Sequence, residues 1–217
     1  MQISLEQALQ MPDAAIFAQK LKSALKEEQK KRRHFYEIVE EKGKTEFING
    51  EIIFHSPVKL QHNRATTLLA KLLDTFVVKH KLGLVGVEKL LVSLTRNDYE
   101  PDICFFGNEK AKTLKRRQMQ FPAPDFVIEV LSDSTEKNDR ETKFQDYAAH
   151  GVEEYWIIDA EKETIEQYFL QDEQYELLLK SNSGEITSVV LTEFKIPIRS
   201  VFDESENLST LEKLIAK

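Results

Sequence analysis

Two short apolar segments of the sequence carry acidic side chains in places where a charge is costly. The stretch 124–132 reads Pro-Asp-Phe-Val-Ile-Glu-Val-Leu-Ser, which is the composition of a buried strand, yet it contains Asp125 and Glu129. Side chains alternate between the two faces of a strand, so both acids lie on one face. An acid inside such a run needs a basic partner, several hydrogen-bond donors or a metal ion.

A second apolar segment upstream repeats this pattern. Residues 100–106 read Glu-Pro-Asp-Ile-Cys-Phe-Phe and follow a turn signal at 96–98, so Asp102 opens another short strand. Carboxylates from two adjacent strands that meet at one point can hold a hard divalent cation. Asp125 lies four positions from Glu129, roughly 13 Å along a strand, which is too far to share one ion. We therefore predict a metal pair of Asp102 and Glu129, with Asp125 capping or pairing at the start of its strand.

Composition limits the class of protein. At 217 residues, 41% hydrophobic and 31% charged, the chain is long enough for one sizeable core and too short to expect two domains. It has no long apolar run and no basic-then-apolar start, so we expect a cytoplasmic protein without a membrane partner. The lone Cys104 argues against a disulfide, a zinc cluster or thiol catalysis. A net charge of −7 still leaves room for a local basic surface.

Periodicity predicts three regions. They are an N-terminal helical extension at 1–42, an α/β domain at 43–200, and a tail at 201–217 with a short helix. The predicted elements are hairpin strands 44–48 and 51–55 around Asn49-Gly50, a long helix over 65–80 closed by Gly83, strands 84–94, 102–106 and 125–131, a helix from Asn138 to Gly151, a strand 152–159, a meander 164–170 and 174–180, and a helix near 208–215. The fold class is mixed α/β with a largely antiparallel sheet flanked by helices.

Several chemistries could use such acids. Glycosidase carboxylates lie beside an aromatic-lined cleft, and a single tryptophan in an apolar strand context disfavours that reading. Any one acid taken alone is best explained as a turn cap or an ion-pair partner. The combination favours phosphodiester hydrolysis, because two carboxylates could hold the ion, a cation could act near the water, and the basic loop 110–117 could contact phosphates.

Four segments together closely resemble the Uma-type family of restriction-endonuclease-like proteins in the PD-(D/E)XK nuclease superfamily. The segments are 99–102, 124–135, Asp139-Arg140 with Lys143 and Tyr147, and 151–159. The hairpin 46–51, Ser56-Pro57 and His62 also fit, and the resemblance covers about 35–180 in order. It implies a restriction-endonuclease-like core and metal-dependent DNA cleavage.

The resemblance assigns roles residue by residue. Asp102 matches the Asp of the PD half-motif and Glu129 matches the acid of the second half-motif. The superfamily lysine should stand two residues after that acid, where this chain has Leu131. Lys143, in the following helix, matches a lysine that the Uma-type pattern keeps and would supply the charge from there. The alternative for Lys143 is a solvent-facing helix residue paired with Glu141 or Asp139.

Further candidates complete the predicted site. Glu46 and Glu51 flank the hairpin turn, so either could be an additional metal ligand or an exposed acid. His62 is either a helix-capping or packing residue or a general base or phosphate contact. The predicted cofactor is Mg²⁺ or Mn²⁺, held by Asp102, Glu129 and the carbonyl of Val130. The predicted partner is DNA, contacted through the basic loop, and a second copy of the chain in a homodimer is another candidate; the contact residues are Lys112, Lys115, Arg116 and Arg117.

Two readings compete with an active nuclease. A nuclease-derived binding or regulatory module that has lost turnover is supported by the missing lysine after Glu129 and by the acidic net charge. A purely structural interaction protein is favoured only if the acids bind no metal.

Overall fold

A computed structural model describes residues 4–39 and 44–216. The predicted boundary at 42/43 therefore lies outside the described residues. The helices are α1 (Leu5–Leu9), α2 (Ala14–Ile38), α3 (Leu60–His80), α4 (Asn108–Ala111), α5 (Glu136–Arg140), α6 (Thr142–Ala149) and α7 (Glu204–Ala216), with a 3-10 turn at Ile198–Val201. The strands are β1 (Thr45–Ile48), β2 (Glu51–Phe54), β3 (Gly83–Val87), β4 (Leu91–Ser93), β5 (Asp98–Tyr99), β6 (Ile103–Gly107), β7 (Gln120–Phe121), β8 (Phe126–Val130), β9 (Glu154–Asp159), β10 (Thr164–Gln171), β11 (Gln174–Ser181), β12 (Glu185–Thr187) and β13 (Lys195–Pro197).

The strands form two larger sheets and one small hairpin. The six-stranded sheet has the order β11-β10-β9-β8-β6-β3, the five-stranded sheet has the order β2-β1-β5-β4-β7, and β12 pairs with β13. The β8/β9 and β4/β7 pairs are parallel and the other pairs are antiparallel. The predicted mixed α/β class with a largely antiparallel sheet is confirmed.

One face of the six-stranded sheet is covered by α3. Leu69, Leu72 and Leu73 recur at helical spacing on this helix and are completely buried. They belong to the same apolar cluster as Phe126 and Trp156, whose rings meet edge to face at 5.0 Å. Burial of this helix face against the sheet anchors β8 in the centre of the molecule.

The opposite face of the sheet packs against α6. Tyr147 from this helix is buried in an apolar cluster with Val127 of β8 and with Tyr155 and Ile157 of β9. Residues four apart lie on the same side of a helix, so Lys143 faces the sheet together with Tyr147. The packing of α6 thus carries a basic side chain into the protein interior.

The long helix α2 is docked on the five-stranded sheet. Arg32 makes a two-point ion pair with the buried Asp98, at 2.6 Å from Nε and 2.8 Å from Nη2. Phe35 packs against Phe47 of β1 with ring centroids 5.7 Å apart. None of the helices in the described ranges is long and apolar enough to span a membrane.

The predicted single strand over 84–94 is two strands, β3 and β4, which lie in different sheets. Glu88 and Lys89 between them adopt left-handed backbone conformations, with φ of 46° and 51°, and turn the chain. The expected closure of the long helix by Gly83 is also wrong, because Lys81 is the left-handed residue after α3. Gly83 opens β3, where a β-carbon would lie 2.0 Å from the carbonyl oxygen of Phe106.

The predicted helix from Asn138 to Gly151 is two helices. The helix is interrupted at Glu141, which has φ −116° and ψ −72°, and this interruption separates α5 from α6. Asn138 lies inside α5 and does not cap a helix start. The hairpin and the meander match their predicted positions to within one residue at each end.

Candidate active site

Asp102 lies immediately before β6 and is brought level with Glu129 of β8. Ile103 pairs with Ile128 in antiparallel strands, so Asp102, the residue before Ile103, lies beside Glu129, the residue after Ile128. The Asp102 side chain is buried, and its Oδ2 accepts a 2.8 Å hydrogen bond from the Val130 amide. His62 Nε2 lies 3.3 Å from the same oxygen. Oδ1 lies 2.6 Å from the ammonium of Lys44.

Glu129 is also buried, and its two oxygens differ in their surroundings. Oε1 accepts hydrogen bonds from Lys143 Nζ at 3.0 Å and from the Tyr147 hydroxyl at 3.1 Å. Oε2 has no hydrogen bond or ion pair with any described residue. Glu129 and Asp102 line one small pocket together with Lys44 and His62. The two predicted metal-binding acids therefore face the same space.

Lys143 lies at the centre of a buried cluster of carboxylates. Its side chain is 1% exposed, and Nζ lies 3.0 Å from Glu46, 3.0 Å from Glu129 and 3.1 Å from Asp139. Of these three contacts, the one to Glu129 has hydrogen-bond geometry, and those to Glu46 and Asp139 are ion pairs. The reading of Lys143 as a solvent-facing residue paired with Asp139 is half right, because the pair is present and the exposure is not.

The two hairpin acids have different positions. Glu46 is completely buried; its Oε1 accepts a 2.9 Å hydrogen bond from the Glu100 amide, and its Oε2 lies 3.0 Å from His55 Nε2. Glu51 is exposed and lies 3.8 Å from Lys31, so the structure does not bring it to the site. The pairing of Ile48 with Glu51 places both acids on the same face of the hairpin, so the difference comes from position along it: Glu51 lies beside the turn, and Glu46 lies two residues further from the turn along β1.

Lys44, His55 and Asp139 are site residues that the sequence reasoning did not select. Lys44 lies two residues before Glu46 at the start of the hairpin, so strand alternation would have placed the two on the same face. Asp139 lies four residues before Lys143, although the break at Glu141 interrupts that helical register. His55 follows β2 and carries no sequence signal of its own.

Burial and the two lysines set opposite pKa shifts in the site. Burial raises the pKa of Glu129 to about 8, and the charges of Asp139 and Asp102 add to this rise against that of Lys143. For Glu46, burial is outweighed by the charge of Lys143 and the close contact with His55, which lower its pKa to about 2. The pKa of Asp102 is likewise held below its ordinary value, despite burial, by Lys44 and His62.

The donor set fits a hard divalent ion that keeps most of its waters. Two carboxylates and one main-chain carbonyl are the oxygen ligands that Mg²⁺ and Mn²⁺ accept. Over residues 4–39 and 44–216, no group of three or more His, Cys, Asp or Glu side chains is disposed to hold a metal. A metal at Asp102 and Glu129 would therefore depend on water for its remaining ligands. Oε2 of Glu129 is free of protein donors in the described structure and is the oxygen available to it.

The basic loop lies at the other end of the strands. It follows Gly107 at the far end of β6, roughly 17 Å along the strand from Asp102. The four predicted DNA-contact residues are exposed: Lys112, Lys115, Arg116 and Arg117. Asp125 has the expected structural role, since it accepts a 2.6 Å hydrogen bond from the Gly107 amide and lies 2.7 Å from Lys110.

Comparisons with known proteins identify the family and the fold of the chain. Residues 32–199 match the Uma2 family model, described as a putative restriction endonuclease. The uncharacterised protein sll1609 of Synechocystis sp. is 30% identical over 156 residues, which cover 70% of this chain and 86% of that protein. A crystal structure described as a putative nuclease belonging to DUF820, from Anabaena variabilis, superposes with a TM-score of 0.64 at 20% identity, over 77% of this chain and 90% of the other. This likeness confirms the restriction-endonuclease-like fold.

Proposed function

The chain belongs to the Uma2 family of restriction-endonuclease-like proteins, and on that premise we propose that it is a metal-dependent endonuclease that hydrolyses DNA phosphodiester bonds. The observation that carries the proposal is the meeting of Asp102 and Glu129, from adjacent strands of one sheet, in a single pocket beside two lysines. Burial of an ionised acid costs folding free energy unless a basic partner or a metal ion compensates its charge, and such acids often mark functional sites.

The cofactor of the proposal is Mg²⁺ or Mn²⁺ at Asp102 and Glu129. When bound, such an ion would stabilise negative charge on the phosphate and lower the pKa of a water molecule. The protein's part is to position its ligands before substrate arrives. The Val130 amide and His62 hold one oxygen of Asp102, while Lys143 and Tyr147 hold one oxygen of Glu129. Preorganised ligands of this kind need little rearrangement during the reaction.

In the proposed hydrolysis, a water molecule gives up a proton and its oxygen forms a new bond to phosphorus, while a phosphorus–oxygen ester bond breaks and the leaving alkoxide takes up a proton. Lys143 contributes positive charge next to Glu129 and Glu46, and it keeps this carboxylate cluster together. The exposed basic loop would contact the DNA backbone away from the scissile phosphate. A homodimer stays a prediction.

A second candidate function is a nucleic-acid-binding or regulatory module without turnover. The observation that favours it is that three carboxylates lie within 3.1 Å of the Lys143 ammonium and compensate its charge, while Leu131 stands at the superfamily lysine position. In that case the acids would be a structural remnant stabilised by lysines.

Cleavage and metal binding separate the two candidates. Purified protein with Mn²⁺ should nick supercoiled plasmid, EDTA should abolish the activity, and Glu129→Gln should match the EDTA control. Mn²⁺ should also raise the unfolding temperature of the wild type, and Asp102→Asn should remove most of this gain, because a ligand that binds only the native state stabilises it. DNA binding without cleavage across metals and substrates would favour the second candidate.

A further inference from the structure

We propose that the ammonium of Lys44 occupies the divalent-cation position beside Asp102 and must leave it when the metal binds. Lys44 would then be a built-in competitor of the metal. The inference rests on the proposed function, and it concerns a residue to which neither the sequence motifs nor the family resemblance gives a role.

The two oxygens of Asp102 have different partners. Oδ2 is fixed by the protein, through the Val130 amide at 2.8 Å and His62 at 3.3 Å. Oδ1 contacts only Lys44 among the described residues, at 2.6 Å. Asp102 can therefore bind a metal ion through Oδ1 and keep the contacts of Oδ2 that position its side chain. The present partner of Oδ1 is the Lys44 ammonium.

Lys44 can leave its position at a lower cost than Lys143 can. The Lys44 side chain is 19% exposed, and its ammonium has Asp102 as its one ion-pair partner in the described structure. Lys143 is 1% exposed and has three carboxylate partners. A lysine at the rim of the pocket can swing its long side chain into solvent, where its charge is hydrated. Lys44 is thus the exchangeable cation of the site and Lys143 is the permanent one.

The exchange has a physical reason. In the metal-free protein, two buried carboxylates facing one pocket would repel each other, and Lys44 lowers that repulsion. A divalent ion at Asp102 would in turn repel the ammonium, since both compete for the same oxygen. The metal must therefore displace Lys44 before it binds, and this step weakens its apparent affinity.

The test is a calorimetric titration of the metal-free protein with Mn²⁺. The wild type is compared with Lys44→Met, which removes the charge, and with Lys44→Arg, which keeps it. Lys110→Met is the matched control, because it breaks another lysine–aspartate pair, at Asp125 on the far end of β8. We expect Lys44→Met to bind Mn²⁺ roughly tenfold more tightly, as the loss of one repelled unit charge at a partly screened site predicts. Lys44→Arg and Lys110→Met should keep the wild-type affinity or bind more weakly.

Thermal unfolding provides a second readout. Lys44→Met should lower the unfolding temperature without metal and enlarge the rise produced by Mn²⁺, because the variant loses an ion pair but gains metal affinity. Lys44→Gln gives the same comparison if Lys44→Met does not fold.

The results of these experiments distinguish a failure of the role proposed for Lys44 from a failure of the metal-dependent function. Equal or weaker Mn²⁺ binding by a folded Lys44→Met would overturn the role of Lys44 and leave the metal site standing. Measurable Mn²⁺ binding by Lys44→Met but not by the wild type would support the inference most strongly. Failure of every protein to bind Mn²⁺ would overturn the inference together with the metal dependence of the proposed function.

Discussion

Replacement of Lys143 by methionine tests whether its ammonium is the counter-charge that holds the site together. Methionine has a similar length and no charge, so the change leaves three buried carboxylates without their common partner. Breaking a buried ion pair by removal of one partner costs about 3–5 kcal/mol. We therefore expect a large loss of folding stability.

The protonation of Glu46 in the variant has a cost of similar magnitude. Glu46 is ionised in the wild type, with a pKa lowered to about 2, and without Lys143 it would have to take up a proton to stay buried. Protonation at pH 7 of a carboxyl group with its ordinary pKa of 4.5 costs about 3.4 kcal/mol, at 1.36 kcal/mol per unit. Since this cost falls as the pH falls, the difference between variant and wild type should shrink in acid.

The assay is urea denaturation of wild type and Lys143→Met at pH 7.5 and pH 5.5. We expect a loss of about 3 kcal/mol or more at the higher pH and a loss smaller by more than about 1 kcal/mol at the lower pH. Lys137→Met, an exposed lysine on the neighbouring helix, is the control and should be nearly neutral. A loss below about 1 kcal/mol, or one independent of pH, would refute the view that Lys143 neutralises these buried carboxylates.

Three further predictions concern stability and DNA binding. The pKa of Glu166 is lowered to about 2, because hydrogen bonds from Arg140, Tyr168 and Lys180 outweigh the effect of burial. Glu166→Gln should therefore lose about 1 kcal/mol of folding stability at pH 7, after a discount for solvent screening, and the loss should shrink as the pH falls below 4.5. An equal loss of stability at pH 7 and pH 3 would contradict this. Gly83→Ala should lose about 2 kcal/mol or more in thermal unfolding, because its β-carbon would meet a carbonyl oxygen at 2.0 Å, while Gly151→Ala, which meets nothing within 4 Å, should lose less. Alanine at four loop residues should flatten the salt dependence of DNA binding by on the order of one log–log unit per lost phosphate contact, and an unchanged slope would rule out the loop as a DNA contact; the residues are Lys112, Lys115, Arg116 and Arg117.

Elements with strong local signals could be predicted from the sequence. The Asn49-Gly50 turn indicated the first hairpin, and the meander predicted over 164–170 and 174–180 matches β10 and β11 to within one residue. The breaks at Glu88–Lys89 and at Glu141 could not be predicted, because these residues carry no turn signal of their own. They adopt unusual backbone angles to let the flanking segments reach different packing partners, which is a tertiary effect.

The acids of the site could be predicted, and most of their partners could not. Charged residues inside apolar strands stand out by composition, which selected Asp102 and Glu129. The partner of a buried acid depends on which distant segments pack together, as with Lys44 and Asp102, which lie far apart in the chain and 2.6 Å apart in space. Lys143 was selected through family resemblance, and its three carboxylate partners became apparent only from the packing of α6 on the sheet.

The packing around Glu129 explains why a lysine on the neighbouring helix suits this chain better than one at position 131. Side chains at 127, 129 and 131 share the face of the sheet that α6 covers, and Leu131 lies roughly 7 Å from Glu129 along the chain. Leu131 packs against the same apolar cluster as Val127 and Tyr147, so a lysine there would have to bring its charge through that cluster. Lys143 approaches instead from the helix that forms the other side of the cluster, where its ammonium can reach Glu129 and Glu46 together. The position of the lysine is therefore a consequence of how α6 packs, and it allows one buried charge to serve acids from both sheets.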